Sequence, residues 1–73
     1  MFLVIEIQKD TDGKLSTIVT PQENFRDAKS QHYTILGFAV KSGLPRHGSV
    51  ILSEDGKVMM SESFTNNDQG NET

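Results

Sequence analysis

Two histidines, one adjacent basic pair and one acidic turn are the residues of this chain whose types and spacing could carry chemistry. His32 falls among the apolar residues of a helical pattern, where a buried imidazole can serve as a general base or a metal ligand. No Cys, Asp or Glu stands at ligand spacing around it, so the expectation is a core histidine whose ring nitrogen meets a backbone or side-chain partner. Arg46 and His47 are expected in a loop between the helix and the third strand. Such a pair can hold a carboxylate or phosphate and is the candidate anion site, against the plainer reading of a solvated loop. Asp10-Thr11-Asp12-Gly13 has the opening of a calcium loop, but the later acidic ligands are missing and the segment reads as a hairpin turn. No Ser or Thr occupies a strand-to-helix nucleophile elbow and there is no Gly-rich phosphate loop. No catalytic residue, metal site or cofactor is therefore expected, and the chain is not expected to be an enzyme.

Composition narrows the remaining classes. A chain of 73 residues makes one domain with a thin core, because a chain of roughly 60 residues buries only about 60% of its unfolded surface. Cysteine is absent, which excludes disulfide staples and thiolate metal sites and leaves self-association or partner binding as the expected source of extra stability. The lack of Cys also fits a reducing cytoplasm. Ten acidic residues against seven basic ones give a mildly acidic chain, and the basic residues are scattered, so neither nucleic acid nor an anionic membrane is an expected partner. Met1 to Ile5 is apolar but is ended by Glu6 without a preceding basic region, so it reads as a strand and not as a signal peptide or membrane span. Residues 65–73 carry no apolar side chain and are expected to form a disordered polar tail after a single domain over residues 1–64. The Asn71-Glu72-Thr73 triplet within it reads as chance.

The elements that must position these groups follow from pattern. Phe2 to Ile7 is a β-branched and aromatic run, Asp12-Gly13 closes a turn, and Lys14 to Thr20 returns as a second strand. The same grammar recurs in Ser49 to Ser53, the Glu54-Asp55-Gly56 turn, and Val58 to Phe64. Between the hairpins lies one helix. Thr20-Pro21-Gln22-Glu23 is a formal capping box, but a start near Asn24 is favoured, with Pro21 ending the preceding strand. Lys41, a left-handed cap at Gly43, and Pro45 are expected to stop it. At about 100° per residue, Phe25, Ala28, His32, Ile35, Leu36 and Ala39 share the core arc, with Phe38 at its flank. Tyr33, Gly37 and Val40 fall on the opposite side, where a mid-helix Gly invites close approach by a partner, a second candidate contact surface.

Alternation divides the sheet into two faces. One register sends Leu3, Ile5, Ile7, Val50, Leu52, Val58 and Met60 toward the helix and leaves Phe2, Val4, Ile18, Ile51 and Met59 on the other face. One helix covers one face, so the second set is the expected partner-binding surface.

Val4-Ile5-Glu6-Ile7-Gln8 with the Asp12-Gly13 turn, His32-Tyr33-Thr34-Ile35-Leu36, and Pro45 followed by His47 and Val50-Ile51-Leu52 together resemble a family of short uncharacterised proteins. These are encoded by phages and integrated elements of Gram-positive gut bacteria. The resemblance covers nearly the whole chain except the tail. It implies a shared fold and carries no active-site residue across. The expected architecture is an α+β ββαββ domain, a four-stranded, mainly antiparallel sheet with one helix on one face and the first strand between the second and third. The expected function is that of a non-enzymatic, phage-type accessory protein working by protein contact, as a homo-oligomer or with a virion or host partner. It would act in the bacterial host cytoplasm or in the virion. The rival expectation is a phage-encoded inhibitor or ligand-sequestering protein directed at host defence.

Overall fold

The computed structural model describes residues 1–66. Strands β1 (Phe2–Lys9) and β2 (Leu15–Gln22) are followed by helix α1 (Phe25–Ala39) and strands β3 (Arg46–Ser53) and β4 (Val58–Thr65). They build one antiparallel sheet in the order β2-β1-β3-β4, with β1 between β2 and β3 as expected; the hairpin patterns themselves require only the β1–β2 and β3–β4 pairs. The turns close as turn chemistry dictates. Gly13 and Gly56 take φ of 84° and 90°, and the Asp10 carboxylate accepts the Asp12 and Lys14 N–H groups. Asn24 caps α1, its side-chain oxygen accepting the Asp27 N–H at 2.8 Å.

Several boundaries differ from expectation. Strand β2 runs through Pro21 to Gln22, which costs no ladder bond to a further neighbour because β2 is an edge strand. Gly43 has no positive φ. The helix ends instead in i→i−3 bonds from Lys41 N–H to Phe38 and Ser42 N–H to Ala39, and the Asn66 amide donates to the Ala39 carbonyl at 3.1 Å. Phe38 is exposed and is not a flank of the core. Strand β4 includes Thr65, and the Asn66 N–H bonds the Pro45 carbonyl at 2.9 Å, so the first two residues assigned to the polar tail are docked. The rest of that tail, residues 67–73, lies outside the described residues.

The principal correction is to the faces. Val4 and Ile51 are fully buried and pack with Ala28 and Ile35, with Phe2, Phe25 and Met60 against them. Phe2, Val4, Ile51 and Met60 therefore face the helix. The expected contact surface of Phe2, Val4, Ile18, Ile51 and Met59 is not the open side of the sheet, and Ile18 and Met59 alone of that set are exposed. Because residues directly opposite in the ladders share a face, the open side carries Leu3, Ile5, Ile7, Val50 and Leu52. A bulge at Met59 separates Met60, opposite Ile51, from Val58, opposite Leu52, which sends these two residues to opposite faces despite their i, i+2 spacing.

Three substitutions check this packing. Ile51→Ala should lower stability in urea unfolding by about 2–5 kcal/mol, a large share of what a domain of this size possesses. A Cβ at Gly48 would stand 2.6 Å from both the Glu62 carbonyl oxygen and Ser63 Cβ, so Gly48→Ala should cost about 1–3 kcal/mol. A Cβ at Gly37 meets nothing within 4 Å, and Gly37→Ala should gain up to about 1 kcal/mol from helix propensity.

Candidate functional site

Beneath the helix the sheet presents polar groups. His32 is 1% exposed, and its Nδ1 shares a 2.8 Å hydrogen bond with the Oγ of Ser49, itself buried on β3. This is the satisfied core histidine the helical arc implied. Burial holds the His32 ring below the usual imidazole range, and the charge of Glu62 on β4 opposes that shift.

A second chain of hydrogen bonds lies toward the C-terminal end of the helix. His47 Nε2 is 2.7 Å from Glu6 Oε2, and His47 Nδ1 is 3.1 Å from Ser42 Oγ. A carboxylate only accepts, so Nε2 carries the hydrogen and, in the neutral ring, Nδ1 accepts from the Ser42 hydroxyl. The Gln8 amide completes the group by donating to the same Glu6 oxygen at 2.9 Å. The order serine, histidine, carboxylate is that of a nucleophile, its base and an orienting acid. Here, however, the His47 side chain is 6% exposed and Ser42 Oγ also accepts the Leu44 N–H at 3.3 Å. These bonds tie the segment after α1 to β1 across the end of the sheet.

The arrangement separates the expected anion pair. Arg46 and His47 are the first two residues of β3, not a loop, and successive strand residues point to opposite faces. His47 is buried toward the helix with Glu6, and Arg46 is exposed on the open face, directly opposite Lys9. No shared anion can bridge the two. Ser42, Glu6 and Ser49 were missed as members of polar clusters, although a helix-facing histidine demanded a polar partner on the strand beneath it.

The other candidate surface is the open face. Around Leu3, Ile5, Ile7, Val50 and Leu52 the edge residues Leu15, Val19 and Val58 are more than half exposed. Beside Gly48 lies a depression of about 570 Å³ whose lining includes Ile7, Leu15, Arg46, Ser61 and Ser63. Tyr33, Gly37 and Val40 are exposed on the outer side of the helix, as their angular positions required. No known family model, curated protein or solved structure matches this chain.

The His32 environment has a measurable consequence. Its folded-state affinity for a proton lies below the ordinary value of 6.5, so the unfolded chain binds the proton more readily. The folded state with a neutral His32 keeps its full stability above that value and loses stability as pH falls from it through the lower folded-state value, because the buried ring must then be charged. Urea midpoints should decrease between about pH 7.5 and about pH 5.5, and a ring titration followed by NMR should place His32 below a free imidazole. Glu62→Gln should lower it further, since the opposing charge is then removed.

Proposed function

We propose that this chain is a non-enzymatic, phage-type accessory protein that acts by protein contact through the open face of its sheet. One observation carries the reading. The helix covers the more polar side of the sheet, which bears Glu6, Gln8, His47 and Ser49, and leaves uncovered the side bearing Leu3, Ile5, Ile7, Val50 and Leu52. Contiguous apolar surface of this kind marks an interaction site more often than a solvated one. The phage context rests on the family resemblance and places the site of action in the bacterial host cell or the virion. The rival reading, an inhibitor that sequesters an anionic ligand at Arg46 and His47, has no support from a pair that points to opposite faces.

Tagged protein purified from phage-infected cells tests the proposal. Wild-type chain should retain a partner, either its own untagged copy or another protein, and Val50→Lys should lose it while keeping the wild-type circular dichroism and melting temperature. Retention of the same partner by the folded variant, or no partner with wild type, would overturn contact through this face. Detection of the chain in purified particles assigns the partner to the virion.

A further inference from the structure

We infer that the occupant of the open face is a second copy of this chain, packed sheet to sheet about a two-fold axis that lies in the interface and runs perpendicular to the strands. The inference rests on the protein-contact reading and commits it to one partner. Three features of the face support it.

The first is charge. At one end Lys9 and Arg46 stand directly opposite each other, both exposed, and like charges so placed on a sheet repel. The turn at that end adds Lys14 against Asp10 and Asp12, which leaves it basic; at the other end Glu23, Glu54 and Asp55 outweigh Lys57 and the Met1 amino group, 2.9 Å from the Glu54 carboxylate, which leaves it acidic. The proposed axis reverses strand direction between the copies. It lays the basic end of each on the acidic end of the other, whereas an axis along the strands would set basic on basic.

The second is shape. Across β1 and β3 the open face is built in rows, Leu3 with Leu52, Ile5 with Val50, Ile7 with Gly48, and Lys9 with Arg46. With the axis between the second and third rows, Ile5 and Val50 of one copy meet Ile7 and Gly48 of the other. The bulkiest β-branched pair then packs into the depression lined by Ile7, Leu15, Ser61 and Ser63, twice per dimer. Leu3 and Leu52 meet the aliphatic stems of Lys9 and Arg46, which can lie on apolar surface while their charged ends reach the partner's carboxylates. Aligned packing of two twisted sheets is the ordinary way for such faces to combine.

The third is size. Four strands about 4.8 Å apart and eight residues long at about 3.3 Å per residue present a footprint of about 500 Å² per copy. The total of about 1,000 Å² reaches the threshold for a specific interface and suits a small domain with a thin core.

Sedimentation equilibrium on the full chain tests this. Wild type should be a dimer at micromolar concentration. Ile5→Lys and Val19→Lys should each weaken it by at least about tenfold with unchanged circular dichroism; Val19 is already more than half exposed, so that substitution spares the fold. Arg46→Glu and Glu54→Arg should each weaken the dimer alone, and an equimolar mixture of the two should restore it, because the heterodimer pairs each new charge with its opposite. A monomeric wild type, a dimer insensitive to both lysine variants, or a mixture no tighter than its components would overturn the inference. If wild type is monomeric but still loses a heterologous partner on Val50→Lys, the two-copy inference fails and the protein-contact reading stands.

Discussion

The hydrogen bond between His32 and Ser49 determines which way this sheet faces. A buried imidazole without a partner costs about 1–3 kcal/mol, and α1 turns His32 inward with Ala28, Ile35 and Ala39. The strand beneath must therefore present a hydroxyl or its equivalent. Once Ser49 points to the helix, alternation sends His47 and Ile51 the same way, and the antiparallel register brings Glu6, Val4 and Phe2 with them. The Glu6–His47–Ser42 chain then becomes possible, and it fastens the segment after the helix to β1. The uncovered face is the consequence. A slip of one residue would have buried the more apolar side of the sheet but left His32 against Val50 or Gly48.

This exchange of apolar burial for hydrogen-bonded specificity explains the thin core. Among the described residues the buried hydrophobics are Val4, Ala28, Ile35, Ala39 and Ile51, and two of the five are alanines that allow the helix to lie close to the strands. Buried polar groups contribute little net stability when satisfied, although they select one register among several. The stability forgone on the helix side is available on the other, where burial of Leu3, Ile5, Ile7, Val50 and Leu52 requires a second surface. On the reading proposed above, such a chain would gain by association what it does not gain by folding alone.

Element type, order along the chain and the two hairpin pairings were legible in the sequence because they depend on local signals: Gly13 and Gly56 in the turns, Asn24 at the helix start, and Pro45 beyond its end; the long-range β1–β3 pairing had no such signal. The sheet faces were not. Phe2, Leu3, Val4 and Ile5 are all apolar, so alternation in β1 offers both registers equally, and Met59 breaks the period in β4. The deciding signal was the polar demand of His32. On β3 the even positions offer it only Arg46, Gly48, Val50 and Leu52, whereas the odd ones include Ser49. The polar tail was misread at its first residues because backbone bonds, not apolar side chains, hold Thr65 and Asn66 against β3 and the segment before it.

The basic pair illustrates the same distinction between neighbours in sequence and neighbours in space. Arg46 and His47 looked like one site because they are adjacent, but adjacency within a strand guarantees opposite faces. His47 was drawn to the helix side with Ser49, where Glu6 receives its Nε2–H. Arg46 was left on the open side, where its neighbour is Lys9, thirty-seven positions away in sequence and directly opposite in the ladder. Two cations held side by side at the end of an apolar surface repel, and a carboxylate brought from outside the sheet would relieve them. The hydrogen bonding of one buried histidine thus reaches through the register to fix the sign of charge at the edge of the surface available for contact.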